Sequence, residues 1–378
     1  MKVLHVISDT NIGGAGVLLC TLLRNFEKER VESVVALPKE SSLRERMEAI
    51  GIPTVLLKEP CDRFSFRSVR ELSSILLQGG FDLVHANAAL CARIAGRRSG
   101  IAVLHTRHCC FPPSAIWRLL PVRLLGGWYN GSLSDRIIAT AEAAKENLLA
   151  LGIPNDKIEV IVNGSEPVRE VNEEELDFYR RKWDLQKDDF TVGICARLVA
   201  CKGHETFLQA AKRIIERTPY RRVRFLIAGE GDRRVALEAL AERLGISASV
   251  RFLGFLSDTA PFYRLLRLNV NCSSGTETSC LALSEGMSAG VPMVASDYGG
   301  NRAMLGDERA GFLYPIGDSS ALADAVCAVA KDPELEARMR LAAYERYVSH
   351  YTAKGMTARV TEVYESVLCN RSSFNRFT

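Results

Sequence analysis

Short apolar segments alternate with amphipathic segments along nearly the whole chain. In the first half, apolar runs that fit β-strands lie at 3–8, 32–37, 54–57, 83–86, 103–106, 136–140 and 159–162. Segments with the apolar spacing of helices lie among them at 17–26, 67–77, 89–97 and 141–151. This alternation is typical of βαβ units, in which helices cover both faces of a parallel sheet.

The alternation stops at residues 166–189 and then begins again. This segment is charged, contains Pro167 and has one amphipathic stretch at 173–183, which predicts a linker with a short helix. Beyond it, strands are predicted at 191–196, 224–228, 250–253, 268–271, 293–295 and 312–314. Helices are predicted at 204–216, 234–244, 261–265, 280–289, 320–331, 335–347 and 353–368.

The sequence therefore predicts an α/β protein with two doubly wound domains, because 378 residues are too many for one ordinary core. We expect the first domain at 1–165, the linker at 166–189 and the second domain at 190–350. In doubly wound sheets, ligands bind beyond the carboxyl ends of the strands. We therefore expect the functional residues at those ends, in a cleft between the domains.

Composition excludes several other classes of protein. A hydrophobic content of 47% with 25% charged residues is that of a globular chain, and no apolar run approaches the roughly 20 residues of a membrane span. The net charge of +4 gives no reason to expect a nucleic-acid partner. Eleven cysteines without a C-x-x-C pair favour reduced thiols in a cytosol over disulfides or a zinc site.

The first domain has candidate residues after two of its strands. Gly13 and Gly14 precede a helix, where glycine lets a ligand approach the backbone and the helix N-terminus favours anions; a simple tight turn is the alternative. His108 lies beyond the fifth strand and is expected to contact the substrate. His105 lies within that strand and is expected to belong to the core.

The segment 117–129 combines two tryptophans, two arginines and several leucines with no acidic residue. This composition suits a helix in peripheral contact with a membrane. A helix packed over the acceptor side of the domain is an equal alternative.

In the second domain, Arg197 and Lys202 follow the first strand and immediately precede a helix. A guanidinium fork and an ammonium point charge suit a diphosphate, although a solvated surface pair is the alternative. Gly229 follows the next strand and opens a Gly-Glu-Gly segment, which is typical of a tight turn beside a ligand.

Two carboxylates eight positions apart, Glu277 and Glu285, lie where a loop leads into a helix. Eight helical residues advance about 12 Å and rotate by about 80°, so the two side chains share one side but cannot reach the same atom. Amide groups near Ser279, Cys280 and Leu281 would face a phosphate between them. The spacing favours two ends of one extended ligand, such as a nucleotide-diphosphate sugar.

Five sequence features together resemble the retaining glycosyltransferases of family 4, also called glycosyl transferases group 1. They are the E-x7-E segment from Glu277 to Glu285, the Arg197…Lys202-Gly203 pair, the Gly229 turn, Phe252-Leu253-Gly254 and Gly13-Gly14. The resemblance implies the GT-B fold, with two facing Rossmann-like domains and a C-terminal helix, at about 351–370, that crosses back to the first domain. It also implies transfer from a UDP-, GDP- or other nucleotide-diphosphate sugar without a metal ion or other cofactor.

The resemblance assigns roles to matching residues. Glu277 would contact the donor sugar and Glu285 the ribose, while Arg197 and Lys202 would hold the diphosphate and His108 would lie near the transferred sugar. The other donor-binding candidates are Gly13, Gly14, Gly229, Ser279, Cys280 and Leu281.

This chain departs from the family pattern at two places. Thr278-Ser279-Cys280 stands where many members carry Phe-Gly, which bears on the choice of sugar. Arg107 adds a positive group that would face an anionic acceptor.

The family-level expectation is a glycan or lipid-linked acceptor of cell-envelope biosynthesis, with the enzyme in the cytoplasm or at the inner face of the membrane. A nucleotide-sugar epimerase of the same fold is one alternative, and it would convert the donor without an acceptor. A non-catalytic scaffold that binds nucleotide sugars is another. His204, at the start of a helix, is expected to lie at the surface.

Overall fold

The computed structural model describes residues 1–10, 13–61, 64–108, 114–218, 220, 222–275, 279–306 and 309–374, without the side chains of 115, 118 and 372–374. The chain forms two compact units. The first comprises Met1–Gly164 and Ala353–Thr378, and the second comprises Ser165–Thr352.

The first unit contains a seven-stranded parallel sheet in the order β3-β2-β1-β4-β5-β6-β7. Its strands are β1 (Lys2–Ile7), β2 (Glu32–Pro38), β3 (Thr54–Leu57), β4 (Leu83–Asn87), β5 (Ala102–Arg107), β6 (Arg136–Ala139) and β7 (Ile158–Val160). Its first six helices are α1 (Gly14–Asn25), α2 (Leu43–Ala49), α3 (Phe66–Gly79), α4 (Leu90–Arg98), α5 (Leu120–Ser132) and α6 (Glu142–Ala150). The central strands are almost entirely buried, as a parallel sheet covered on both faces requires.

The second unit contains a six-stranded parallel sheet in the order β10-β9-β8-β11-β12-β13. Its strands are β8 (Phe190–Cys195), β9 (Val223–Ala228), β10 (Val250–Gly254), β11 (Leu268–Asn271), β12 (Met293–Ser296) and β13 (Gly311–Tyr314). Its helices are α7 (Glu173–Lys182), α8 (His204–Arg217), α9 (Arg234–Arg243), α10 (Ala260–Leu265), α11 (Leu281–Ser288), α12 (Asn301–Leu305), α13 (Ser319–Lys331) and α14 (Pro333–His350). The strand order reverses beside β8, which is a doubly wound arrangement.

The last helix, α15 (Ala353–Phe374), packs against α1 and β5 of the first unit. A buried hydrogen-bond chain fixes it there: His85 on β4 is 2.7 Å from the Tyr364 hydroxyl and 2.6 Å from Thr106 Oγ1. Burial lowers the pKa of His85 well below its ordinary value, so the ring is neutral at physiological pH. The C-terminal helix thus returns to the first unit, as the family resemblance implies.

The predicted elements agree closely with the structure. Each of the thirteen predicted strands is present, with ends within two residues of the prediction. Two helices, α2 and α12, have no counterpart in the prediction because they are only seven and five residues long. Such short helices contain too few turns for a clear helical period.

The segment 166–189, which the sequence predicts as a linker, packs several apolar residues within the second unit. Val168, Trp183 and Leu185 are buried in one cluster with Phe262 and Tyr263 of α10. A charged segment with scattered apolar positions resembles a linker in sequence, yet these few side chains anchor it. The segment is therefore an integral part of the second unit.

Two features expected from composition, the absence of a membrane span and the state of the cysteines, can be compared with the described residues. No helix among them is long and apolar enough to cross a membrane. The nine described cysteines form no disulfide with one another.

Candidate functional site

The loop after β8 carries both predicted cations. Arg197 is exposed and lies two residues beyond the strand end, while Lys202 lies in a single 3₁₀ turn that precedes α8. Lys202 is partly buried, and its Nζ is 3.5 Å from Ser273 Oγ. The structure therefore holds both positive groups at the carboxyl edge of the second sheet, where ligands of such sheets bind.

The predicted turn at Gly229–Gly231 shapes this loop through direct backbone packing. A Cβ atom at Gly229 would lie 2.0 Å from the Ala196 carbonyl oxygen, and one at Gly231 would lie 2.3 Å from that of Leu198. The Gly229 φ of +136° is also rarely adopted by other residues. The Leu198 N–H donates to the Glu230 carbonyl at 2.9 Å. Only glycine permits this close packing of the turn, which fixes the backbone at Ala196 and Leu198 on the two sides of Arg197.

The loop after β8 also lies directly against the loop after β11. The Ser274 N–H donates to the Cys201 carbonyl at 2.9 Å, and a Cβ at Gly203 would lie 2.2 Å from the Cys272 carbonyl oxygen. Gly203 has a φ of +67° and begins α8. Lys202 is thereby held next to the segment that leads into α11.

A buried network of polar side chains orders the loops around α11, and the sequence analysis did not identify it. The amide oxygen of Asn271 accepts from the Ser273 N–H at 3.0 Å and from Asn301 Nδ2 at 3.2 Å. Asn301 also donates to the Ser296 carbonyl at 3.0 Å, and Ser296 Oγ donates to the Ser273 carbonyl at 2.6 Å. The sequence does contain a signal for this network: Asn271 ends an apolar strand, and a buried side-chain amide needs hydrogen-bond partners.

Glu285 lies on α11, which approaches the sheet closely. Gly286 permits this approach, because a Cβ there would be 2.5 Å from Asn269 Nδ2, and that amide donates to the Ala282 carbonyl at 2.9 Å. Burial raises the pKa of Glu285 to about 7, and the neighbouring Tyr263 hydroxyl acts in the opposite direction. A carboxyl group held partly protonated near neutral pH is costly for folding and typical of functional sites.

The other predicted residues at the start of α11 differ in their surroundings. Ser279 is only 8% exposed, and its hydroxyl has no hydrogen-bond partner among the described residues. The Cys280 N–H points to Met304 Sδ at 3.2 Å, and its sulfur accepts from Asn271 Nδ2 at 3.0 Å. Leu281 is partly buried as the first residue of the helix.

The Cys280 amide and sulfur thus both have internal partners, and the predicted phosphate contact at this amide stays a prediction. Such partners cannot be read from local sequence spacing. Glu277 and Thr278 lie outside the described residues.

In the first unit, His108 follows β5 and is 3.1 Å, through Nε2, from Asn87 Oδ1 at the end of β4. Burial lowers the pKa of His108 to about 4, so the ring is neutral near pH 7. It borders a small cavity of about 20 Å³, which α1 and α15 line from the other side. His105 is buried in the sheet, as predicted.

Gly13 and Gly14 lie at the N-terminus of α1 without strain. Gly13 has a φ of −99°, and a Cβ at Gly14 would meet no described atom within 4 Å. The local fold of the described residues therefore requires glycine at neither position, and the contact of these glycines with the donor stays a prediction.

The structure also shows the surroundings of Arg107 and His204. Arg107 ends β5 and reaches towards α6, where its guanidinium is 3.4 Å from Asn147 Oδ1. His204 was expected at the surface, but it is 1% exposed and burial lowers its pKa to about 4. His204, the first residue of α8, thus points into the second unit. The spacing of apolar residues in α8 does not predict the direction of this first side chain.

Among the described residues, no group of three or more His, Cys, Asp or Glu side chains is arranged to hold a metal ion. The positive charge at the carboxyl edge of the second sheet comes from Arg197 and Lys202 instead.

Comparison with known proteins identifies the family. The sequence model of glycosyltransferase family 4 matches residues 12–169, and that of the glycosyl transferases group 1 matches residues 176–346. EpsD of Bacillus subtilis strain 168, which is named as a glycosyltransferase, is 32% identical over 76% of this chain and 77% of its own length. The chain belongs to glycosyltransferase family 4.

Two other matches agree with this family 4 assignment. The phosphatidyl-myo-inositol mannosyltransferase of Mycolicibacterium smegmatis is 28% identical over 81% of this chain and 76% of its own length. The structure of Anabaena HepE in complex with UDP-glucose superposes with a TM-score of 0.83 at 20% identity, covering 97% of this chain and all of that one. The fold of this glycosyltransferase is thus the GT-B fold of two Rossmann-like domains.

The raised pKa of Glu285 predicts that Glu285→Gln stabilises the enzyme at alkaline pH. The folded protein holds this proton up to about pH 7, whereas the unfolded chain releases it near 4.5. The wild type therefore loses stability as pH rises through this window, by up to about 3 kcal/mol, while the glutamine variant does not. Urea unfolding should show the variant more stable than wild type at pH 8 and nearly equal at pH 4.

Glu238→Gln is the control, since Glu238 is a surface acid paired with Arg234 on one helix. It should change the free energy of unfolding by less than about 0.5 kcal/mol at either pH. Equal behaviour of the two variants would contradict the burial of the Glu285 charge.

Gly229→Ala should destabilise the second unit strongly and displace the loop that carries Arg197. The new methyl group would overlap the Ala196 carbonyl, whereas in Gly245→Ala the same kind of backbone strain arises in open space. We expect about 1 kcal/mol for Gly245→Ala and at least about 2 kcal/mol more for Gly229→Ala in urea unfolding. Similar losses in the two variants would show that the backbone packing is not tight.

Proposed function

We propose that this glycosyltransferase transfers a sugar from a nucleotide-diphosphate sugar to a hydroxyl acceptor, with retention of the anomeric configuration and without a metal ion. The observation that carries the proposal is the grouping of Arg197, Lys202 and the Glu285 helix at the carboxyl edge of one parallel sheet. This edge offers two positive groups and a partly protonated carboxyl group in adjoining loops, which match the chemistry of a nucleoside diphosphate.

Each part of the donor has a chemical counterpart in this proposal. Arg197 and Lys202 hold the diphosphate and offset the charge that develops on the leaving group. The Glu285 carboxylate accepts hydrogen bonds from the vicinal ribose hydroxyls, and Glu277 does the same for the sugar. Ser279, whose buried hydroxyl lacks a partner among the described residues, supplies a further polar contact.

The first unit contributes the acceptor side. His108 is neutral and fixed by Asn87, so it is suited to hydrogen bonding with a sugar hydroxyl rather than to charge neutralisation. At the N-terminus of α1, a Cβ on Gly14 would meet no described atom within 4 Å, so a ligand could approach the amide groups there. In this mechanism the departing phosphate assists removal of the acceptor proton on the same face of the sugar.

We propose a lipid-linked or polysaccharide acceptor of the cell envelope, reached through peripheral membrane contact by α5. The side of α5 that packs on the unit is made of small residues: a Cβ at Gly127 would lie 2.3 Å from the Gly152 carbonyl oxygen. The large side chains are exposed instead, with Leu125 at 69% and Trp128 at 68%. Ile116, Leu119, Leu120, Leu124 and Tyr129 extend the exposed apolar surface.

This exposed surface fits an interfacial helix better than a helix inside a globular unit. An exposed apolar patch of this kind marks a binding surface. The segment 117–129 also contains two arginines and no acidic residue, which suits the headgroups of anionic lipids.

Two alternatives predict different reactions. A nucleotide-sugar epimerase of the same fold would convert the donor without any acceptor. A non-catalytic scaffold would bind the donor without turnover. Consumption of donor that depends on an added acceptor supports the transferase over both.

Donor binding should depend on the grouped residues of the second unit. A panel of UDP-, GDP-, ADP- and dTDP-sugars should contain one donor that binds the wild type in calorimetry. Its Kd should increase at least ten-fold, about 1.4 kcal/mol, in Lys202→Ala and in Glu285→Ala. Because the Glu285 pKa is about 7, affinity should also fall as the pH decreases from 8 to 5.

Lys187→Ala provides the matched control, because Lys187 is an exposed lysine of the same unit that lines a different cavity. Its Kd should equal that of the wild type. If no sugar nucleotide in the panel binds, or if all three variants bind equally well, the proposed donor site is wrong.

Membrane contact should depend on the exposed face of α5. The wild type should float with vesicles that contain phosphatidylcholine and one third phosphatidylglycerol, and Leu125→Ser/Trp128→Ser should lose most of this binding. Leu341→Ser, which removes an exposed leucine of α14 in the second unit, should bind as the wild type does. Undiminished flotation of the double variant would contradict the assignment of this surface.

A further inference from the structure

A second polar cavity lies at the edge of the first sheet opposite His108. It has a volume of about 540 Å³ and lies at the amino ends of β5, β6 and β7. Its charged lining consists of Arg97, Asp135, Arg136, Asp156, Lys157 and Arg371. Because His108 follows the carboxyl end of β5, this cavity is separate from the proposed acceptor side.

The cavity has an excess of positive charge, since four cations face two carboxylates. Arg97 and Arg371 share a single oxygen of Asp135, at 2.9 and 3.4 Å. The other oxygen of Asp135 accepts the Val103 N–H at 2.8 Å. Asp135 therefore cannot neutralise both guanidinium groups.

Three of the four cations also donate to backbone carbonyls, which carry no full charge. Arg371 Nη1 donates to the Gly100 carbonyl at 2.8 Å, and Arg136 donates to the Asp156 carbonyl. Lys157 Nζ donates to the carbonyls of Gly131 and Ser134 at 2.8 and 3.1 Å. Arg97 Nε is buried and has no hydrogen-bond partner among the described residues.

The electrostatic surroundings of Lys157 agree with this excess. Its pKa is lowered, first by burial and next by the charge of Arg97, while Asp135 and Asp156 only partly compensate. A ligand with two negative charges would offset the net charge of +2 and give Arg97 Nε an acceptor. Guanidinium groups form bidentate hydrogen bonds with phosphate oxygens.

We propose that this cavity binds a phosphomonoester-type dianion, either free phosphate or the phosphomonoester headgroup of a lipid such as phosphatidic acid. The bidentate donors are the guanidinium groups of Arg97, Arg136 and Arg371, and Lys157 supplies a further positive charge. The site is distinct from the donor site of the proposed function and does not require it.

The position of the cavity gives the lipid source a structural basis. Lys157 binds the carbonyls of Gly131 and Ser134 at the end of α5, and the exposed Trp128 lies about one turn before Gly131 on the same helix. A phosphate in the cavity would therefore lie beside the apolar surface proposed to enter a membrane. This lipid source, unlike the anion site itself, rests on the proposed membrane contact.

Inorganic phosphate is the first probe, added at constant ionic strength with chloride as the balancing anion. Phosphate should raise the Tm of the wild type in a saturable manner, because a ligand that binds only the folded state stabilises it. In Arg136→Gln/Arg371→Gln the phosphate Kd from this titration should increase at least ten-fold. Arg136→Lys/Arg371→Lys keeps both charges and should retain part of the affinity, which separates the loss of charge from a folding defect in the glutamine variant.

The matched control is Lys187→Gln, which removes a cation from the other arginine-rich cavity, in the second unit. Its phosphate titration should equal that of the wild type. If phosphate does not raise the wild-type Tm above the chloride control, or if the double glutamine variant responds as Lys187→Gln does, the proposal is overturned.

Vesicle flotation distinguishes the two sources. If the double glutamine variant also loses binding to phosphatidylcholine vesicles that contain one third phosphatidic acid, the site takes a lipid phosphate. If it loses only inorganic phosphate, the site takes a free one. Both results support the anion site. Donor binding, measured in parallel, should be unchanged in the double variant, so loss of the anion site and failure of the proposed donor site give different results.

Discussion

The contact between the turn at Gly229–Gly231 and the backbone of residues 196–198 determines the geometry of the candidate donor site. Two carbonyl oxygens occupy the positions that side chains would need, so the turn and the loop approach at backbone distance. The Leu198–Glu230 hydrogen bond then fixes the backbone next to Arg197. Gly203 repeats the arrangement against Cys272, so the loop is held by glycines at both ends. The backbone that carries the flexible side chains of Arg197 and Lys202 is therefore rigid. Less conformational entropy is then lost when a diphosphate binds.

Much of this fold follows from the sequence, because parallel strands buried on both faces are nearly continuous apolar runs. The thirteen strands are predicted within two residues, and Arg197, Lys202 and Glu285 lie at the carboxyl edge of a sheet as expected. The contacts that the sequence did not predict share one physical origin: they concern residues whose environment is set by distant parts of the chain. Trp183 is buried against α10 within a charged segment, and His204 is turned inward at the first position of a helix. The Cys280 amide is occupied by Met304, which lies 24 residues further along the chain.

The two units also differ in charge, in agreement with their proposed partners. The first unit has 24 Lys and Arg against 18 Asp and Glu, a net charge of +6, whereas the second has 25 against 27, a net charge of −2. In the second unit, Arg197 and Lys202 lie where a diphosphate would bind. In the first, the positive charge is adjacent to the exposed apolar side chains of α5 and to the cavity at the amino ends of β5–β7. This distribution favours a lipid surface or an anionic acceptor for the first unit and a small nucleotide for the second.

The central claim is that the second unit binds a nucleoside diphosphate through the loop after β8 and the helix α11. A crystal structure of the full-length enzyme soaked with the nucleoside diphosphate of its preferred donor tests this claim most directly. Our account predicts diphosphate oxygens within hydrogen-bonding distance of Arg197 and Lys202, with both ribose hydroxyls on the Glu285 carboxylate. A nucleotide bound elsewhere, or one whose ribose and diphosphate contact other side chains, would contradict it.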